Sequence, residues 1–237
     1  MRNYLKLVNF ELNRFIKIYV VLMAVTAVIQ MAGVIVQSRR YLSEANEQIN
    51  QNLMSVSSFI EQYGPISFAF ISRTWWFIGP IIFCIAVLVI YVFFIWYRDW
   101  FGKNTFIYRL LMLPTDRLNI YLAKATTIFL MVLGLISLQL ILLPIESTVF
   151  QMMIPTDFRV DFTLRQMIKT FDDFGILFPS TFADFVIHYL LGFIAVFVVF
   201  TAILFERSYK WKGILFGVLY CVGAGDVLFA LAIIAMI

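Results

Sequence analysis

The chain has 237 residues, of which 62% are hydrophobic, 18% aromatic and only 14% charged, with a formal net charge of +4. A soluble domain carries roughly a quarter charged residues, and several apolar runs here exceed the ~18 residues that mark a bilayer span, so a soluble protein is excluded. The cations sit near the ends of those runs, which argues against a nucleic-acid surface and for a polytopic, all-α transmembrane helical bundle forming one domain over residues 1–237.

The first element is an amphipathic helix over residues 1–17. At 100° per residue Leu5, Val8, Leu12, Phe15, Ile16 and Tyr19 share a face, with Lys6, Asn13 and Lys17 opposite and Arg14 flanking them. Such a helix lies in the inner interface with its cations toward anionic headgroups before bending into the first span. It serves either as a plain anchor or as a docking surface.

Five spans are predicted, near residues 18–37, 74–97, 120–143, 185–205 and 213–237. Residues 38–73 form an outer loop that contains a polar stretch of helical composition and ends at Gly64-Pro65. Trp75 and Trp76 mark the outer interface of the second span, and Trp96, Tyr97 and Trp100 the inner one. A second outer loop, 144–180, opens at Pro144. Within it Phe162, Leu164, Met167, Ile168 and Phe171 are spaced as a short amphipathic helix. The last segment carries Gly223-Ala224-Gly225 followed by Asp226, which reads either as one kinked span or as a re-entrant hairpin giving a sixth membrane segment.

Twelve cations fall on the side holding the N-terminus, the 98–124 region and the 207–212 turn; six fall on the other side, over much longer loops. The first side is therefore expected to be cytoplasmic, in a multi-pass protein of the cell membrane, by this reading the bacterial cytoplasmic membrane. The N-terminus is read as mature sequence rather than a cleaved signal. Cys84 and Cys221 lie in spans and are expected as small core residues without a disulfide.

The most informative stretch is the cytoplasmic coupling loop 98–117. Phe106, Ile107, Leu110, Leu111 and Leu113 form an apolar stripe, Lys103 and Arg109 lie off it, Gly102 precedes it and Pro114 ends it. A connection between antiparallel helices needs only a few residues, so about twenty with an ordered helix implies a contact surface. The order of elements resembles the transmembrane permease subunits of type-2 ABC (ATP-binding cassette) exporters. The local match is the Leu-Leu-x-Leu-Pro-x-x-Arg pattern of residues 110–117, with Lys124 seven residues on. That resemblance implies an N-terminal interfacial helix and a coupling helix whose Phe106, Ile107, Arg109, Leu110, Leu111 and Leu113 dock on a separate cytoplasmic ATPase. It implies a second permease chain, as homo- or heterodimer, and an amphipathic exported substrate such as a peptide, lipid-like molecule or drug. Permeases of this kind have six spans, one more than the single-span reading of the last segment allows.

ATP and Mg would belong to the partner, and no cofactor to this chain. Gly102-Lys103-Asn104-Thr105 lacks the upstream glycine and preceding strand of a phosphate-binding loop. One His and two separated Cys cannot build a zinc site, and neither GxSxG nor HExxH occurs. Neither a catalytic nor a metal site is expected, and no nucleic acid. Intramembrane charges default to functional candidates. Asp226 could line a substrate path or bond to backbone at a helix break. Asp184 and His188, at i,i+4, could relay a proton or form an interface pair. Glu206 and Lys210 read as a surface pair, and Gln30 and Gln139 as interhelical hydrogen-bond formers. Two other readings are a non-transporting accessory or immunity-type membrane subunit and, more remotely, a membrane-embedded enzyme.

Overall fold

Residues 2–52 contain no proline and a single glycine, Gly33, and in the computed structural model they form one helix, α1 (Arg2–Asn52). At 1.5 Å per residue it is about 75 Å long, more than twice a hydrocarbon core of ~30 Å. The helix is not interrupted near residue 17, at the expected turn into the first span, because nothing in the sequence breaks the backbone ladder there. The polar stretch after residue 38 continues the same helix, supported by Arg40–Glu44 at 2.8 Å and by Gln51 donating to Glu47 and Asn52 to Gln48. These i,i+4 pairs each add a few tenths of a kcal/mol. The helix ends where Leu53 takes a φ of 48°.

The structure describes residues 2–101, 106–112, 116–162, 166, 178–179 and 181–236. After α1 come α2 (Val56–Tyr63), the short strand β1 (Ile66–Ser67), α3 (Phe68–Ser72), α4 (Trp75–Trp100), α5 (Phe106–Leu111) and α6 (Arg117–Met153). A 3₁₀ turn (Thr156–Phe158), β2 (Arg159–Val160), α7 (Phe182–Tyr209) and α8 (Trp211–Met236) follow. The expected Gly102–Thr105 turn, Leu113 and nearly all of the 162–171 helix lie outside the described residues. Helices α1, α4, α6 and α7 are long and apolar enough to cross a bilayer, so the chain is a helical membrane protein.

Two predicted boundaries move. The third span does not stop at residue 143: Pro144 lies inside α6, which runs on to Met153. A proline removes one ladder bond, and long apolar helices absorb that locally. The last segment is neither broken nor a hairpin, since Gly223–Asp226 lie within the uninterrupted α8.

The residues cluster into two compact units. One gathers residues 1–18, 86–133 and 181–237; the other 19–85 and 134–180.

In the second unit, helices meet through small and polar groups. Gln30 donates to Gln139 at 3.2 Å and to the Phe77 carbonyl at 3.3 Å, the interhelical bonding expected of those amides. Thr26 Oγ1 lies 3.1 Å from Cys84 Sγ. A Cβ on Gly33 would stand 2.6 Å from that of Trp76, so glycine sets the approach of α1 and α4. Beyond the spans, α2 is capped by Ser55, which accepts from the Ser58 amide, and closes at Gly64 with φ 77°. Its Phe59 meets Phe158, while β1 pairs in parallel with β2, Ile66 opposite Arg159. Arg159 Nη1 donates to the Gln151 and Ile154 carbonyls and so caps the free end of α6.

In the first unit, α7 and α8 form a tight helical hairpin. A Cβ on Gly213 would overlap the Phe205 carbonyl oxygen and stand 2.6 Å from its carbon, and one on Gly217 would be 3.2 Å from the Ala202 oxygen. Gly213 and Gly217 make a GxxxG step, which lets two backbones touch.

Candidate functional site

The amphipathic face of α1 carries an acid. Glu11 lies three residues after Val8 and four before Phe15, so it points to the side that buries. Its carboxylate meets three basic residues. Lys124 Nζ lies 3.0 Å from Oε1, Arg98 Nη2 2.8 Å from Oε2, and Arg14 Nη1 3.6 Å from Oε1. Asp99, at the end of α4, completes the cluster: Oδ2 accepts from Lys124 at 2.5 Å and Oδ1 from Arg14 at 2.7 Å.

Lys124, Asp99 and Glu11 are essentially sealed from solvent. An ammonium has three N–H donors, and all three of Lys124 are used, on Glu11, on Asp99 and on the Ile95 carbonyl at 2.8 Å. The Trp96 ring, with its centroid 5.2 Å from Nζ, adds a cation–π contact. Two acids and three bases leave a surplus of one positive charge. The cluster joins α1, the end of α4 and the start of α6, whose approach is reinforced by Tyr4 bonding Thr126 at 2.6 Å.

Helix α5 rests on this assembly. Leu110 joins Leu7, Val8, Ile120 and Ala123 in one buried cluster, with Tyr4, Leu12 and Phe106 packed against it. Phe106 also stacks on Phe10 at 5.7 Å and lies 5.0 Å from the Arg14 guanidinium carbon. The expected docking stripe is therefore split. Ile107 and Leu110 are each 3% exposed and belong to the chain's own interior. Arg109 and Leu111 face outward beside Tyr108, 60% exposed, and Met112, 84% exposed.

The other expected site residues stand apart from this cluster. Asp184 and His188 lie in the first turns of α7. Thr181 caps that helix, accepting from the Asp184 amide at 3.1 Å while its hydroxyl donates to the Asp184 carboxylate at 2.6 Å. His188 Nδ1 bonds the Asp184 backbone carbonyl at 2.8 Å, not its carboxylate, so the acid–imidazole contact of a proton relay is not formed. Asp226 is exposed on α8, with its flanking glycines in open space. Glu206 pairs with Tyr97, which donates to Oε2, and with Arg207 at 4.0 Å, rather than with Lys210. Trp96 is a core residue and not an interface marker, edge-on to Phe200 at 5.4 Å.

Comparison with protein-family models, curated proteins and solved structures gives no match.

The buried cluster escaped the reading of the sequence because Arg14, Arg98 and Lys124 look like ordinary inner-leaflet cations. The available signal was Glu11, an acid on the apolar stripe of an interfacial helix, together with Asp99 beside Arg98 at a span end.

Proposed function

We propose that this chain is the permease subunit of an ATP-driven exporter of the type-2 ABC kind, moving an amphipathic substrate and taking its energy from a separate cytoplasmic ATPase. The observation that carries the reading is the seating of α5. Its inner face is cemented to α1 and α6, its Phe106 touches the Arg14 of the ion cluster, and its outer face offers Tyr108, Arg109, Leu111 and Met112. A groove on an ATPase would grip that outer face. Because the cluster binds α1, α4 and α6 by charge-assisted bonds, a push on α5 would tilt all three together instead of bending the loop. The twelve-to-six cation bias supports a cytoplasmic position for this end. ATP and Mg would be bound by the ATPase, and a second permease chain would complete the pathway.

A photo-crosslinking residue at 108 or 112 in the native membrane tests the proposal. It is expected to capture a chain with a phosphate-binding loop, while the same probe at the lipid-facing Val28 does not. Capture of lipid alone at both 108 and 112 would end it.

A further inference from the structure

Where α4 ends and α7 turns into α8 there is a cavity of about 360 Å³ lined by Trp100, Glu206, Arg207, Lys210, Trp211 and Ile214. Both α4 and α7 are long and apolar enough to span a bilayer, so the cavity sits at their common end, at headgroup depth. Its chemistry is lopsided. Glu206 is already engaged by Tyr97 and Arg207, which leaves Lys210 as a surplus cation. Two buried N–H donors in its lining residues, Trp100 Nε1 and Arg207 Nε, have no hydrogen-bond acceptor among the described residues. Both donors are sealed from solvent, so the surplus ammonium of Lys210 is what suits the place to an acceptor-rich anion. The Arg207 guanidinium carbon lies over the Tyr97 ring, 4.7 Å from its centroid, and over the Trp100 ring at 5.6 Å, which places the cation before any ligand arrives.

Lys210 supplies the second line of argument. It sits at φ 52° and ψ −124°, in the left-handed half of the map, where glycine is at ease and a lysine is strained. A turn between two helices does not need an ammonium there. Around it the sequence runs Tyr209-Lys210-Trp211-Lys212, with Tyr209 and Trp211 strongly exposed. Such aromatic rings settle at the headgroup level of a bilayer.

We infer that this cavity binds the phosphodiester of an anionic phospholipid, with Lys210 and Arg207 on the phosphate and Trp100 and Trp211 flanking the glycerol end. One surplus cation matches one phosphodiester charge. The inference is independent of the permease reading, since it uses only the ends of two spanning helices and the turn beside them.

The test uses the full chain in detergent and the variant Lys210→Gly. Glycine relieves the backbone strain while removing the ammonium, so thermal stability without lipid should hold or rise. Phosphatidylglycerol retention, read by native mass spectrometry, should fall about fivefold, the effect of one lysine near an anionic surface. Phosphatidylcholine should bind the wild-type chain more weakly than phosphatidylglycerol, and millimolar inorganic phosphate should not displace the lipid. Equal phosphatidylglycerol retention by wild type and Lys210→Gly would overturn the site. Equal binding of the two lipids would overturn its selectivity for anionic lipid, and displacement by inorganic phosphate its lipid source. Should Lys210→Gly not fold, Lys210→Asn, which tolerates positive φ, and Arg207→Gln carry the same comparison.

Discussion

The two units bury carboxylates in opposite ways. In the first, Glu11, Asp99 and Lys124 are sealed from solvent, yet each carboxylate oxygen meets a cation and each ammonium proton has an acceptor. In the second, Glu146 is equally buried, but among the described residues neither of its oxygens has a hydrogen-bond partner. Elsewhere in that unit the seams are made of uncharged groups, the Gln30–Gln139 amides and the Thr26–Cys84 contact. A buried ion is tolerable when paired and fully hydrogen-bonded, whereas a lone buried carboxylate is far costlier than a neutral acid. The first unit is thus locked by charge, and the second is held by packing with one acid left over.

The sharpest way to break this contrast is Lys124→Met. It takes the ammonium donor from one oxygen of each of two sealed carboxylates, Glu11 and Asp99, which keep only their arginine partners, and should cost about 3 kcal/mol of stability, read as a lower melting temperature and poor recovery from the membrane. Adding Asp99→Asn, which replaces one of the half-paired acids by a neutral amide, should restore part of the loss. Full stability of Lys124→Met alone would show that the network is decorative.

Glycine contacts give the next contrast. Gly213→Ala in the first unit drives a methyl into the Phe205 backbone, which cannot move aside, and should cost about 1–3 kcal/mol. Gly134→Ala in the second meets the hydroxyl end of the buried Tyr19, a side-chain tip rather than backbone, and should cost less. Thermal melts of the two variants side by side decide it, and an equal or reversed order would mean the α7–α8 contact is looser than described.

A smaller effect comes from Gln139→Leu. It removes one interhelical amide bond, which in membranes contributes about 0.6 kcal/mol on average, and a loss several times larger would place the second unit in the same class as the first. The smallest effect is expected for Glu146→Gln. With no cation to forfeit among the described residues, the change should leave stability within about 1 kcal/mol. A collapse on that substitution would reveal an ionic partner and erase the contrast.

Much of the architecture was legible in residue order. Of the five spans the apolar runs predicted, four coincide with helices long and apolar enough to cross a bilayer, the polar signature of Gln30 and Gln139 foretold their bond, and the apolar stripe beginning at Phe106 announced α5. Boundaries were less legible because proline and glycine are only conditional breakers. Pro144 and Gly223-Ala224-Gly225 sit inside helices whose flanking apolar turns hold the backbone. The stripe on α5 pointed to a contact surface but not to which half of it the chain keeps for itself, since Leu110 and Leu111 are chemically alike and only tertiary packing separates them. The ion cluster was least legible: its members are scattered from residue 11 to residue 124, and each is unremarkable beside its neighbours in sequence.

Backbone contact at Gly213 has a mechanical meaning. Two helices separated by side chains can slide by shuffling rotamers, but two that touch carbonyl to α-carbon have no such slack. The α7–α8 pair therefore travels as a single blade, and whatever displaces its leading edge is delivered undiminished to the trailing one.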